Sequence, residues 1–256
     1  MSINFVSLIS ALFIGGAAGY LGSLMATKKM SLAGDVLSHV ALPGIGFALL
    51  LGLNISLGAL ASLIIGVLII WLLGMKTSLS SELLTGVVFV ISLAIGFIVV
   101  PDHELLEALF GDIASVNYAD MAMVILISII VFLVARSIYP KMMLAYISED
   151  MALAEGVKIN KNNLIYLLIV AVVIAFGVKI AGSLLTSALI ILPAAAAKNI
   201  SGSMKQYSFL AALLGVAGAG GGVALAGVIG ISAGPVVAIL SAIMFGFTLA
   251  LGKIMR

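Results

Sequence analysis

Residues 28–46 read KKMSLAGDVLSHVALPGIG, and the fold turns on how this stretch is understood. Two lysines head it, and the segment behind them is apolar enough for a bilayer core apart from Asp35 and His39. Four residues apart on a helix, those two side chains project from one face, one turn above the other. Pro43 follows and removes a backbone donor, while Gly44 and Gly46 permit a bend or a close approach. A carboxylate and an imidazole at membrane depth imply a polar path, with the rest of the chain built around it.

Working outward, the 256 residues are 64% hydrophobic and only 9% charged. A soluble domain carries about 25% charged residues, so that class is excluded. With a mean hydropathy of +1.37, the chain reads as a polytopic all-α membrane protein. The apolar stretches run end to end, so a single transmembrane domain over 1–256 is expected. A net charge of +2 gives no footprint for nucleic acid. The absence of cysteine excludes disulfides, thiolate ligands and thiol catalysis together. The amino-terminal apolar run lacks a basic leader, and its lysines come after it, so a retained first span is expected rather than a signal peptide.

Nine spans are read at 5–24, 33–53, 57–73, 83–100, 121–138, 164–178, 182–197, 209–229 and 235–251. The only long polar connection lies between Ile138 and Leu164. Lys28 and Lys29, Lys76, the 136–161 cluster, Lys198 with Lys205, and Lys253 with Arg256 fall in alternate loops. Placing those loops inside leaves Lys179 outside and faces the acidic PDHELLEALFGD segment outward. The expected topology has the N-terminus outside and the C-terminus in the cytoplasm. Gly15 with Gly19 and Gly218 with Gly222 have the spacing that lets helix backbones approach closely, here read as packing within the chain.

Asp35 and His39 could clamp a divalent ion such as Zn²⁺, Mn²⁺ or Fe²⁺. Two ligands make a weak site, which suits a pathway because an ion held too tightly would not leave. The structural alternative is that Asp35 caps a helix start and His39 satisfies a buried carbonyl, and spacing alone does not separate the two. Asp102, His103, Glu104 and Glu107 form a second polar cluster, read as a solvated outer loop. In the inner loop, Glu149, Asp150 and Glu155 alternate with Met151, Leu153 and Ala154, and Gly156 stops the pattern. Three acids suit a protein partner better than anionic lipid. No phosphate-binding loop is present, because Gly252-Lys253 is followed by Ile254. ATP hydrolysis, if it drives transport, belongs to another subunit.

With these residues in view, KKMSLAGDVLSHVALPGIGFALLLG closely resembles the signature of permease subunits of zinc/manganese/iron ABC importers. In that family a basic turn, Met, Gly-Asp, Ser/Ala-His and Leu-Pro-Gly follow the first span. SEDMALAEGVKINKNNLIYLL resembles its cytoplasmic coupling segment, AGSLLTSALIILPAAAAKNI its small-residue and Leu-Ile-Pro-Ala-Ala stretch, and LFGDI its Leu-Phe-Gly element. The resemblance runs in order over essentially the whole chain. It implies a homodimer with the path between two copies, and a fold similar to cobalamin and siderophore importer permeases, shortened by about one span at the amino end. It further implies cytoplasmic ATP-binding subunits docked on a coupling segment at about 141–162, through Ser148, Glu149, Asp150, Met151, Leu153, Ala154 and Gly156. An extracytoplasmic metal-binding protein would deliver the ion, and Asp35 and His39 would line its path. Ala195-Ala196 departs from the family, where a Thr often stands beside the alanines. The rival expectation is a gradient-driven secondary transporter or channel using Asp35 and His39 as a proton relay. Such transporters often show two similar halves, and no second Asp-His motif is seen.

Overall fold

Why the chain breaks where it does is written in its caps and glycines. The computed structural model describes residues 5–28, 30, 33–100 and 116–254. These form α1 (Phe5–Thr27), α2 (Ala33–Val40), α3 (Leu42–Leu50), α4 (Ile55–Lys76), α5 (Ser81–Val99), α6 (Tyr118–Ile147), α7 (Glu149–Ala154), α8 (Ile159–Ile200), α9 (Met204–Ile229) and α10 (Ala233–Ile254). Side-chain oxygens of Asn54, Ser80, Asn117, Ser148 and Ser203 accept from backbone N–H groups at the starts of α4, α5, α6, α7 and α9. Asn117 and Asp120 form a reciprocal capping box. Gly230 ends α9 with φ +81°, a conformation that costs other residues energy.

Eight helical stretches are long and apolar enough to cross a membrane, and a shorter apolar arm, Leu185–Ile200, accompanies them among the described residues. The chain is all-α in its described part, as the sequence leads one to expect. The expected second span, 33–53, is broken at Ala41 into α2 and α3. Pro43 sits in the first turn of α3, where its missing N–H costs least. At the break, the Ser62 hydroxyl from α4 donates to the Val40 carbonyl at 2.7 Å, so that acceptor is not orphaned.

The polar connection expected between Ile138 and Leu164 is shorter than read. α6 runs through Pro140 to Ile147, with Met142 buried on its inner face, and α8 begins at Ile159. Polar residues such as Arg136 and Lys141 continue a helix out of the bilayer as readily as apolar ones; their low hydropathy marked the membrane edge rather than a helix end.

α8 is two helices joined at Gly182, whose φ of 76° and ψ of 168° are not helical. In a straight helix, residues 177 and 186 would lie about 13 Å apart along the axis. Instead a Cβ on Gly177 would meet the Thr186 side chain at 2.6 Å, so the chain folds back on itself. Thr186 Oγ1 donates to the Gly182 carbonyl at 2.7 Å and closes the apex. The arms Ile159–Val178 and Leu185–Ile200 thus form the two expected spans as a hairpin.

α1 runs through the middle of the body, against α6, α8 and α9. Gly15 and Gly19 face the backbone of Gly215 and Ala211 on α9, while Gly218 and Gly222 face Ser241 and Val237 on α10. The small-residue stripes therefore seal contacts within the chain, because backbones in van der Waals contact gain dispersion where lipid offers no hydrophobic drive. Gly44 meets Gly58 in the same way, joining α3 to α4. Ile65, Ile98, Leu133 and Phe247 present exposed apolar surface to the surroundings, as expected in a bilayer.

Candidate metal-transit site

α2 positions the pair. Asp35 lies in its first turn, where the positive end of the helix dipole favours a carboxylate, and His39 lies in its last. Asp35 Oδ1 and His39 Nε2 are 4.0 Å apart. The Asp35 side chain is 45% exposed and that of His39 21%, so the pair opens to one side of the chain. Two ligands on a tetrahedral Zn²⁺ stand roughly 3.4 Å apart, so a small rotamer adjustment would let both reach one ion. His39 Nδ1 is buried with no hydrogen-bond partner among the described residues. The carbonyl contact that the structural alternative required of His39 is absent among the described hydrogen bonds. The ring instead packs tilted against Phe89 of α5, with centroids 5.6 Å apart.

Between the pair on the same helix, Ser38 is fully buried. Its hydroxyl donates to the Asp35 carbonyl at 2.6 Å and lies 3.3 Å from Ser187 Oγ on the second arm of α8. Ser187 and Phe89 carry no motif that composition or spacing could flag; only the fold brings them here. Among the described residues no group of three or more His, Cys, Asp or Glu side chains could hold an ion. The cluster at Asp102, His103, Glu104 and Glu107, like the LFGDI element, lies outside the described residues.

At the opposite end of the hairpin, Ser148 caps α7 by accepting from the Met151 N–H at 3.3 Å. Glu149 and Asp150 occupy its first turn, Ala152 is fully buried, and Met151 and Leu153 are more than half exposed. Gly156, at φ +72°, turns the chain toward α8, with Val157 N–H donating to the Ala152 carbonyl at 2.9 Å. Ala154 and Glu155 stand on the same exposed side. The result is a short amphipathic helix anchored by Ala152, offering two apolar side chains ringed by acids. Lys28, just past α1, is half-buried, and burial lowers its ammonium to about 8.

Comparison with known proteins agrees with this architecture. The chain is 29% identical over 248 residues to the high-affinity zinc uptake system membrane protein ZnuB of Buchnera aphidicola subsp. Baizongia pistaciae, covering 94% of this chain and 95% of that protein. It is 29% identical to the manganese import system permease protein ScaB of Streptococcus gordonii, over 93% of this chain and 87% of that protein. Its fold superposes on PsaBC from Streptococcus pneumoniae, solved in complex with Fab, with a TM-score of 0.82 at 25% identity, over 98% of this chain and 94% of that one. A family model, ABC 3 transport family, matches residues 2–252. An all-α membrane body of this shape, matched along almost its whole length, belongs to the ABC 3 transport family of permeases.

Proposed function

We propose that this chain is the membrane permease of an ATP-driven importer for a divalent transition-metal ion, with Asp35 and His39 as its transit ligands. The observation that carries the reading is the Asp35/His39 pair, held on one broken helix with its open side facing away from its own chain. Two such pairs across a twofold axis would supply four ligands, the number a Zn²⁺ ion takes, without either chain building a closed cage. The relatives named for zinc and manganese support the cargo class, and family membership supports ATP drive over an ion gradient. The chain itself carries no nucleotide motif, so the energy comes from a cytoplasmic ATP-binding subunit, docked on the segment 148–156. An extracytoplasmic binding protein hands over the ion, and the N-terminus lies outside.

Uptake of zinc(II) and manganese(II) by cells with and without the chain tests the site. Asp35→Ala and His39→Ala should each cut uptake at least tenfold at normal protein levels. Unchanged uptake in both would remove the pair from the path. Failure of an ATPase subunit to copurify, or transport by the purified chain in liposomes driven by a proton gradient without ATP, would return the assignment to the gradient-driven reading.

A further inference from the structure

Lys28 stands where three elements meet. Its Nζ donates to Asn163 Oδ1 at 2.5 Å and sits 5.1 Å from the Tyr166 ring, both on the first arm of α8. Among the described residues no carboxylate lies within ion-pair reach of it, so a half-buried ammonium is held by a neutral amide and an aromatic face. A polar cavity of about 320 Å³ adjoins it, lined by Lys28, Tyr146, Glu149, Asn160, Asn162 and Asn163. Glu149 is the first residue of α7, the helix proposed to meet the ATPase. On the other side, Lys28 is seven residues before Asp35 in the chain.

The first arm of α8 follows α7 directly through the Gly156 turn, where Val157 N–H donates to the Ala152 carbonyl at 2.9 Å, so a shift of α7 reaches Asn163 and Tyr166 through a short covalent path. The base of that arm is fixed to α4 by Trp71, whose Nε1 donates to the Asn160 carbonyl at 2.9 Å. Further along, the second arm touches α2 at Ser187 and Ser38, and Ile190 packs against Gly34. The second arm of the hairpin thus packs along α2 at Ser187 and Ile190, while the first arm holds Lys28, ahead of α2 in the chain, through neutral partners.

We infer that Lys28 is a positioning residue that couples the ATPase-facing helix to the Asp35/His39 pair. When α7 shifts, Asn163 and Tyr166 carry Lys28, and the start of α2 follows. The neutral partners suit this role, because a carboxylate at position 163 would hold the ammonium more tightly in one arrangement. The Glu149 carboxylate across the cavity, without an ion-pair partner among the described residues, offers a second place for the cation once the helix moves.

This inference rests on the importer reading, and one reconstitution separates the two. The chain is placed in proteoliposomes with its ATP-binding subunit and binding protein, and ATP hydrolysis and manganese(II) or zinc(II) entry are measured together. Metal entry that needs no ATP in the wild-type complex would sink the importer reading itself. Given ATP-driven entry in the wild type, Lys28→Met should retain hydrolysis within about twofold while ions moved per ATP fall at least tenfold. Asn163→Asp, which keeps Lys28 and its packing, should lower the same ratio at least threefold. Wild-type ratios in both variants would overturn the coupling role. So would proportional loss of hydrolysis and entry in both, the mark of a residue that only holds the fold together.

Discussion

His39 shows how one residue sets the character of the site. Ligating imidazoles ordinarily donate their second nitrogen to a carboxylate or carbonyl, which strengthens and orients the ligand. Here Nδ1 is buried without a partner among the described residues and the ring leans on Phe89 instead. Orientation comes from an apolar contact that adds no basicity, so an ion bound in the proposed transit site would be held loosely. Lys28 makes the complementary point about burial. Its pKa is lowered from 10.5 to about 8 by desolvation, so the fold disfavours the charged form. Below about 8 both folded and unfolded chains carry the proton, and the fold bears the full cost of the buried ammonium. Between about 8 and 10.5 the unfolded chain binds more protons, so stability rises with pH. Glu149 is the carboxylate lining the adjoining cavity, and Tyr146 lines it too. Melting of the detergent-solubilised chain should therefore shift upward from pH 7.5 to pH 9.5, and Lys28→Met should flatten that rise. An equal rise in the variant would assign the effect to other groups.

At the scale of elements, glycine decides which helices touch. A Cβ on Gly15 would collide with the Gly215 carbonyl and the Ala219 methyl, and backbone cannot swing aside as a flexible side chain can. Gly86 in α5 has nothing within 4 Å of its Cβ position. Gly15→Ala should therefore destabilise by about 1–3 kcal/mol through overpacking. Gly86→Ala should be neutral or stabilising by up to about 1 kcal/mol, since it removes helix-interior glycine freedom without a clash. Melting temperatures of the two purified variants against wild type test the contrast; equal losses would mean the α1–α9 seam is not close-packed. This scale also shows what was legible in the sequence. The GxxxG spacing, the Pro43 break, the Ser148–Gly156 helix and the positions of the spans all followed from local rules of capping, proline and hydropathy. The continuation of α6 through Pro140 did not, because tertiary packing of Met142 overrode a local breaker. Neither did Phe89, Ser187 or Asn163, which reach His39, Ser38 and Lys28 only through contacts between helices far apart in the chain.

For the whole molecule, the arrangement of charge predicts which way the permease faces. The two arms of α8 return the chain to the side it left, so every loop's side follows once one is fixed. Lys28 after α1, Lys76 at the end of α4, Lys158 and Lys161 at the start of α8, Lys198 and Lys205 on either side of the turn after α8, and Lys253 near the end of α10 then share one face, the one that the positive-inside rule predicts to be cytoplasmic. This orientation puts Lys28, α7 and the base of the α8 hairpin together where a cytoplasmic ATPase can reach them. It also places Asp35 and His39 beyond Lys28 toward the membrane interior, about 6 Å apart along α2 at 1.5 Å per helical residue. The reverse orientation would leave the coupling helix outside, with no ATP to draw on. The natural chain has no cysteine, so single substitutions report sidedness cleanly. Asn54 and Ser78 are exposed on loops at opposite ends of α4. A membrane-impermeant maleimide should label Asn54→Cys on intact cells lacking an outer barrier. Ser78→Cys should label only after permeabilisation. Labelling in the opposite pattern would invert the topology and, with it, the placement of the ATPase on α7.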